Sequence, residues 1–378
     1  MAADSFNADT RKKKNGKTKQ KTKITIFIIE MLIIVAMLIV VWKVFQTTED
    51  TEGPHKVTID ENEIVINSEV KENIGNTDTA NTPDYKQEYW NIALFGVDAV
   101  KTEQLYKGSR SDSIMIASVN MKTGDIKLVS VYRDTYLNKG NDKYGKCNSA
   151  YAANGAPQAM SMLNMNMDLA ITDFVTVGYD AVKECVDGLG GVWIDVDSAE
   201  LEHINNYQLS IIRDTSIPKS EYVPVKDTGY QLLNGLQATA YCRIRYTKGD
   251  DYKRAERQRE VIKAMEEQAK KTDLSTLTNL LPKVLEHVYT SIDSADMMEL
   301  LKNLSKYSIV EEGGFPAEGM RTSDTIGADG SCVIPVDLDD NVIWLHEFLF
   351  GEEDYTVSST VKECSEKIKA DTAPYLNN

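Results

Sequence analysis

The distribution of apolar positions divides the chain into a basic tail, one long apolar run and a mixed remainder. The run Ile24 to Trp42 (ITIFIIEMLIIVAMLIVVW) contains Glu30 as its only charged residue. At about 1.5 Å per residue it is roughly 28 Å long, close to the thickness of a bilayer core. Because no cleavage site follows it, the run predicts an uncleaved membrane anchor, with the basic tail in the cytoplasm and the bulk outside.

Short alternating runs beyond residue 88 predict strands. WNIALFGVD is typical of a buried strand. SDSIMIASVN and DIKLVSVYRD are separated by a short polar segment and predict a hairpin with Gly124 in its turn. Three strands are therefore expected within the first 45 residues of the folded region.

Helical and extended segments alternate in the second half. FVTVGY and VWIDVD predict strands around a helix, DAVKECVDGLGG, whose N-terminus Asp180 would cap. YQLLNGLQATAYCRIRY predicts a short helix that runs into an extended piece. Further helices are expected over Arg254 to Lys271 and near 273–290 and 294–307, and SCVIPVDLDDNVIWLHEFLF predicts a strand and a helix.

These patterns predict an α/β fold with a mixed central β-sheet flanked by helices in α/β/α layers, preceded by one N-terminal transmembrane helix. The expected organisation is a cytoplasmic tail (1–23), an anchor (24–45), an extracytoplasmic stalk (46–88), one folded domain (89–352) and a C-terminal tail (353–378).

Charge is distributed unevenly. The tail holds eight basic and two acidic residues, so the formal charge of −16 for the whole chain leaves about −22 for the remainder. Such a domain will not adhere to nucleic acid through bulk charge. Yet RIRYTKGDDYKRAERQR, from Arg243 to Arg259, contains five arginines. They suit a clamp for phosphate or carboxylate, or an exposed helix face with ion pairs.

Several common chemistries have no sequence support. The four histidines are scattered, and the HExxH, GxSxG and Walker A patterns do not occur. The five cysteines have no C-x-x-C spacing, which argues against zinc. An odd count leaves at least one thiol free, and a bond between Cys332 and Cys364 stays open.

Charged residues cluster at the ends of the predicted strands. Asp98 ends the first strand, Arg110 and Asp112 begin the second, and Arg133 with Asp134 follows the third. In a hairpin, Asp112 and Arg133 lie at the same end of the sheet. Two carboxylates converging with arginines suit a divalent cation beside phosphate groups. Loop caps or surface ion pairs would explain each aspartate singly.

The motifs FGVD, GSRSDS, VYRDT, CNSAYAANG and LNGLQATAYCRIRY…DDYKRAERQ occur in this order between about Trp90 and Phe350. Together they resemble the LytR–CpsA–Psr family. The resemblance implies a Mg²⁺-dependent phosphotransferase of cell-wall assembly. It would transfer an anionic glycopolymer, as glycan phosphate, from a polyprenyl-pyrophosphate carrier to peptidoglycan, and residues 89–352 would be its catalytic domain.

The resemblance also implies residue roles. Asp98 and Asp112 would hold the metal, and Arg110, Arg133, Asp134 and Asp251 would be catalytic. The pyrophosphate would be bound by Arg243, Arg245, Arg254, Arg257 and Gln258. An apolar cavity would hold the prenyl chain.

Two alternatives stay open: a hydrolase that cleaves the same lipid-linked pyrophosphate, and a non-catalytic anchored regulator of the cell envelope. The expected location is the cell membrane, with a single span. A nucleic-acid-binding role is not expected, since the cytoplasmic tail is too short for a folded DNA-binding domain.

Overall fold

A mixed β-sheet forms the centre of the computed structural model, which describes residues 55–56, 59–75, 88–99, 105–245, 247, 250–292 and 308–376. Its strands are β1 (His55–Lys56), β2 (Tyr89–Val97), β3 (Ser111–Asn120), β4 (Asp125–Val131), β7 (Asp173–Val177), β10 (Val288–Thr290) and β11 (Ser308–Phe315). Their spatial order is β1-β10-β7-β2-β3-β4-β11, with parallel and antiparallel neighbours.

Three two-stranded antiparallel sheets lie outside this sheet in the described part of the chain. They pair β5 (Tyr136–Asn138) with β6 (Tyr144–Lys146), β8 (Val192–Val196) with β9 (Gly229–Leu233), and β12 (Arg321–Ile326) with β13 (Gly330–Pro335).

Helices connect and cover the strands. They are α1 (Ser68–Gly75), α2 (Ser149–Met167), α3 (Tyr179–Gly188), α4 (Ser198–Asp214), α5 (Gly235–Tyr241), α6 (Asp250–Ala269), α7 (Leu274–Leu285), α8 (Leu338–Phe350) and α9 (Ser359–Leu376).

Alternation along β2 gives the sheet two different faces. Ala93 and Phe95 enter the main core, where α2 packs on β3 and β7 and is covered by α8 and α9. Leu94 and Gly96 lie on the opposite face, beside α3 and α6. The predicted mixed sheet flanked by helices is confirmed.

The sequence pattern located most of the central elements correctly. The β3–β4 hairpin is confirmed, and Gly124 adopts the left-handed φ of 84° in its turn. Helix α3 is confirmed, but its N-cap is Gly178 and Asp180 lies in the first turn, so the capping prediction is wrong. VWIDVD is a strand that pairs with β9 rather than joining the main sheet.

Segments at both ends of the predicted domain pack on the core. Ile64 and Val70 are buried, and the Asn67 side chain donates to Asp168 Oδ1 at 2.6 Å. At the other end, Val361 and Ile368 of α9 are fully buried. Parts of the predicted stalk and tail therefore belong to the folded body.

Some predictions fall outside the described residues, namely the anchor at 24–45 and the helix at 294–307. In the part that is described, no helix is both long and apolar enough to cross a membrane. All five cysteines are described and unpaired, so no bond joins Cys332 to Cys364.

Candidate active site

The ends of β2, β3 and β4 place the charged residues at one edge of the sheet. In the antiparallel registers, Val97 faces Ser111 and Met115 faces Ser130. Asp112 therefore lies near the start of β3, and the chain leaves β4 beside it at Tyr132 and Arg133. This edge faces the N-terminal half of α6.

Asp112 is surrounded by three arginines. Its Oδ1 accepts a hydrogen bond from Arg133 Nη1 at 2.7 Å. Its Oδ2 accepts from Arg245 Nη2 and from Arg254 Nη2, both at 3.1 Å. Burial opposes the charge of this carboxylate, but Arg254, Arg133 and Arg245 outweigh that effect and hold the pKa of Asp112 below its usual range. Asp112 is therefore ionised and binds guanidinium groups from three segments of the chain.

Arg133 links Asp112 to two further carboxylates, those of Asp251 and Asp134. Its Nε donates to Asp251 Oδ2 at 3.0 Å, and its Nη2 lies 3.5 Å from Asp134 Oδ2. Lys146 contacts the other oxygen of Asp134 at 3.1 Å. Burial works against the charge of Arg133, but Asp112, Asp251 and Asp134 raise its pKa above the ordinary value. The guanidinium stays charged.

Asp134 and Asp251 share one hydrogen bond. Burial, followed by that bond, raises the pKa of Asp134. Burial acts the same way on Asp251, but the bond from Asp134 and the charge of Arg133 lower the pKa of Asp251 overall. The pair thus holds a proton on Asp134 more readily than on Asp251.

Arg243 contacts two aromatic rings and Asp98. Its guanidinium stacks on the ring of Tyr179 at 4.5 Å and faces Tyr207 at 5.5 Å. Its Nη2 is 3.9 Å from Asp98 Oδ2, whose side chain is half exposed. Burial raises the pKa of Tyr179, so this ring remains a neutral phenol beside the arginine.

Two arginines keep unused hydrogen-bond donors inside the protein. Arg254 is only 5% exposed, yet its Nε and Nη1 have no hydrogen-bond acceptor. Arg243 Nη1 is also buried and has no hydrogen-bond acceptor. Buried donors without partners are costly. Their arrangement at one edge fits an anion with several oxygens, such as pyrophosphate.

An apolar cavity of about 360 Å³ opens beside these arginines. It lies between the sheet and helices α3 and α6. Its apolar wall includes Leu94, Met115, Val177, Val182, Ile262 and Met265, and its polar end includes Asp112, Arg243, Arg254 and Gln258. A ligand with an anionic head and a hydrocarbon tail would match both parts.

The structure does not bring every predicted site residue into this cluster. Arg110 is exposed at the residue before β3. Arg257 is 1% exposed and pairs with Glu200 at 2.7 Å, away from Asp112. Arg259 contacts Glu312 at 3.2 Å and is also not part of this cluster.

Sequence reasoning missed Tyr179 and Glu200. Tyr179 is the first residue of α3, two positions after the end of β7, and only this position close to a strand end could have marked it. Glu200 completes a capping box with Asp197, a pattern that predicts the start of a helix. The pattern gives no sign that the same side chain also accepts a hydrogen bond from Arg257.

The carboxylates suit magnesium only together with a ligand. Among the described residues, no group of three or more histidine, cysteine, aspartate or glutamate side chains is arranged to hold a metal. Asp98 and Asp112 offer two oxygen-donor groups beside the arginines at this edge of the sheet. Magnesium is commonly bound by one or two carboxylates plus substrate phosphates and water, so this donor set fits it.

The family model of the LytR_cpsA_psr family matches residues 44–329. The chain belongs to the LytR–CpsA–Psr family. This confirms the resemblance drawn from the ordered motifs.

Individual relatives of this family share moderate identity with the chain. Biofilm regulatory protein A of Streptococcus mutans is 29% identical over 59% of this chain and 57% of its own length. The polyisoprenyl-teichoic acid–peptidoglycan teichoic acid transferase TagU of Enterococcus faecalis is 30% identical over 57% of this chain and 65% of its own length. The chain thus spans less than two thirds of these relatives.

The family fold is also evident in solved structures. The crystal structure of Bacillus subtilis TagV matches with a TM-score of 0.54 and 23% identity, over 71% of this chain and 99% of TagV. At this identity the match supports the fold alone. It agrees with the mixed sheet and its flanking helices.

Proposed function

We propose that this LytR–CpsA–Psr protein is an enzyme that attaches an anionic glycopolymer to the cell wall. It transfers the glycan phosphate from a polyprenyl-pyrophosphate carrier to a hydroxyl group of peptidoglycan. The relative TagU, named as a teichoic acid transferase acting on peptidoglycan, supports this reaction class. The proposal rests chiefly on the convergence of Arg133, Arg245 and Arg254 on Asp112 at the mouth of the apolar cavity.

The arginine cluster would hold the pyrophosphate. Arg254 and Arg243 each have a buried donor with no acceptor in the protein, and Arg245 is close enough to contribute from the same segment as Arg243. Guanidinium groups bind phosphate oxygens in a fixed geometry and remain charged when buried. Gln258, which lines the same end of the cavity, would add a neutral donor.

The apolar cavity would hold the hydrocarbon part of the carrier. Its wall is built from aliphatic and methionine side chains of β2, β3, β7, α3 and α6. Burial of such a chain is favourable in proportion to the apolar area removed from water. Head and tail of one lipid would therefore occupy two adjoining parts of one site.

Magnesium would be held by Asp98 and Asp112 together with the substrate. When bound, it would supply positive charge to the phosphate oxygens. Asp98 is half exposed and weakly paired, so its carboxylate is accessible to a cation. Asp112 would have to exchange part of its arginine contacts for the metal.

The chain's own side chains define the transfer step. The oxygen of the acceptor hydroxyl forms a bond to the phosphorus next to the glycan, and the bond from that phosphorus to the bridging oxygen breaks. Polyprenyl phosphate leaves with the bonding electrons, and the hydroxyl proton is released. Arg133 and Arg254 neutralise charge that develops on the transferred and leaving groups. Asp251 fixes Arg133 through its Nε, and Asp134 holds Asp251 through the shared hydrogen bond.

We also propose that residues 24–45 anchor the protein in the cell membrane and that the folded body lies outside the cytoplasm. A body with a charge of about −22 beside an anionic polymer gains little from nonspecific attraction, so the anchor would supply proximity to the carrier. Retention of the full chain in membranes washed with alkaline carbonate, and its release after deletion of residues 1–45, is the expected result.

Product analysis tests the proposed reaction. The full chain in detergent is incubated with a short polyprenyl-pyrophosphate glycan, peptidoglycan oligomers and Mg²⁺, and products are identified by mass spectrometry. We expect a glycan-phosphate adduct on peptidoglycan that a chelator abolishes. Free glycan phosphate without an adduct would identify a hydrolase instead. Bound, unconverted lipid under all conditions would support a binding protein and contradict the enzyme.

A further inference from the structure

Arg257 uses all of its guanidinium nitrogens within the protein. Its Nε donates to Glu200 Oε1 at 2.7 Å, its Nη1 to the Ile244 carbonyl at 3.2 Å and its Nη2 to Thr247 Oγ1 at 2.8 Å. Only 1% of the residue is exposed. A phosphate could reach this group only by displacing three existing contacts.

Glu200 is fixed as firmly as its partner. It is 2% exposed, and its Oε2 accepts the backbone N–H of Asp197 at 3.0 Å in the capping box of α4. Each carboxylate oxygen thus has its own donor. Buried charged side chains are rare unless they are paired in this manner.

The Glu200–Arg257 pair contacts the segment that contains the site residues Arg243 and Arg245. Ile244 lies between Arg243 and Arg245, and its side chain is completely buried. Arg257 donates to the Ile244 carbonyl through Nη1 and to Thr247 Oγ1 through Nη2, so it binds the segment at two points. With the middle of the segment fixed, Arg243 remains over Tyr179 and Arg245 remains on Asp112.

We infer that Glu200 and Arg257 form a buried clamp that positions Arg243 and Arg245 for pyrophosphate, and that Arg257 is a positioning residue rather than a ligand contact. This inference rests on the proposed function for the identity of the anion. Glu200 belongs to α4 and Arg257 to α6, so the clamp makes the arginine edge depend on how these two helices pack.

Helix α6 offers a matched control pair. Arg259, two residues beyond Arg257, pairs with Glu312 of β11 at 3.2 Å and donates to Ser130 Oγ at 2.7 Å. This is also a largely buried arginine–glutamate pair on the same helix. It is directed at the edge strand β11, and the hydrogen bonds and ion pairs of Arg259 go to Glu312 and Ser130 rather than to the described residues 243–245 and 247. Loss of this pair controls for general destabilisation of α6.

Hydrogen exchange on the full chain in detergent tests the clamp without any ligand. The variants are Glu200→Ala, Glu200→Gln, the milder Thr247→Val, and Glu312→Gln as control. We expect amide exchange over residues 243–247 to accelerate most in Glu200→Ala, less in Glu200→Gln and Thr247→Val, and not in Glu312→Gln. Unchanged exchange in Thr247→Val and in any folded Glu200 variant would overturn the clamp.

Affinity for inorganic pyrophosphate, measured by calorimetry below the melting temperature of each variant, tests the positioning role. Because charged hydrogen bonds are worth more than neutral ones, we expect Glu200→Ala to weaken binding about tenfold or more and Glu200→Gln to weaken it less. Glu312→Gln should bind within about twofold of the unmodified chain, a difference below 0.5 kcal/mol. In turnover, Glu200→Gln should raise KM for the lipid donor more than it lowers kcat.

The two measurements separate the possible failures. Faster exchange without any pyrophosphate binding in the unmodified chain would leave the clamp standing and contradict the proposed function. Faster exchange together with unchanged pyrophosphate affinity would overturn the positioning role.

Discussion

Charge balance at single residues explains why this edge of the sheet can hold an anion. Asp112 contacts three guanidinium groups, while Arg133 contacts three carboxylates. The charges of Asp112 and Arg133 are each compensated by neighbours from other segments, so these two side chains stay ionised despite partial burial. Arg133 contacts Asp112 as well as the pair Asp134 and Asp251. Its loss should therefore lower catalytic activity more than it disturbs packing.

Arg133→Ala should therefore lower turnover by roughly 10²- to 10³-fold, because it removes stabilisation of charge that develops in the transition state. The fold should persist, since Asp112 keeps Arg245 and Arg254. Steady-state rates and a melting curve check this. Arg213→Ala, which removes an exposed pair with Asp214, is the control. Full activity in Arg133→Ala with a normal melting curve would count against the assigned site.

Asp134 gives a pH-dependent prediction. Its folded-state pKa is raised, so its contribution to stability is complete below its unfolded pKa of about 3.9 and is lost as the pH rises through the folded value. Asp134→Asn cannot ionise, and its amide can still donate to Asp251.

The melting temperature of Asp134→Asn, relative to the unmodified chain, should accordingly improve between pH 4 and pH 7. Asp195→Asn, at an exposed position of β8, is the control. A difference for Asp134→Asn that stays constant over this pH range would show that the carboxyl is not held in its protonated form.

At the scale of elements, the spacing of apolar residues predicted the positions of individual strands and helices. Alternation located β2 and the β3–β4 hairpin, and helical spacing located α6, whose observed bounds are Asp250–Ala269. Periodicity carries no information about distant partners. The pairing of β8 with β9 and the contact of Glu200 with Arg257, 57 residues apart, depend on tertiary packing and were not predictable.

The cavity is lined by residues of several strands and helices. One substitution in its wall can therefore weaken binding of the prenyl chain without changing binding of the pyrophosphate. Val182 of α3 lines the cavity among apolar neighbours. Val182→Trp should fill part of the space and weaken binding of a long polyprenyl pyrophosphate about tenfold, in line with burial of a few methylene groups. Affinity for inorganic pyrophosphate should not change, because the arginines are untouched.

The same measurement on Val182→Ala supplies the control, since it leaves the space open. Calorimetry with prenyl pyrophosphates of increasing length should show that the Trp variant loses the gain in affinity with chain length. Equal affinities for long chains in the Trp and Ala variants would place the lipid elsewhere.

The folded body as a whole extends beyond the part that its motifs define. The family match ends at residue 329, one residue before β13 begins. The chain then adds β13, α8 and α9, which close the main core over α2. The sequence predicted β13 and α8 but not the packing of α9, because the terminal segment is polar overall and contributes few apolar side chains to the core.

Deletion of residues 359–378 tests whether that closure is essential. It removes the buried side chains of Val361, Cys364, Ile368 and Thr372, and the hydrogen bond from Tyr136 to Asp371. Two fully buried aliphatic side chains alone are worth about 3–6 kcal/mol, against a typical net stability of about 5–15 kcal/mol. For a domain of this size, that corresponds to a fall in melting temperature of roughly 10 °C or more.

Deletion of residues 377–378 alone should leave the melting temperature unchanged and controls for a shortened terminus. If the longer deletion also melts like the full chain, α9 is dispensable and the motif-bearing segment folds by itself. If cooperative unfolding is lost instead, the arginine edge depends on a helix that none of the recognisable motifs contains. In that case, fragments designed from the motifs alone would fail for lack of a closed core rather than for lack of site residues.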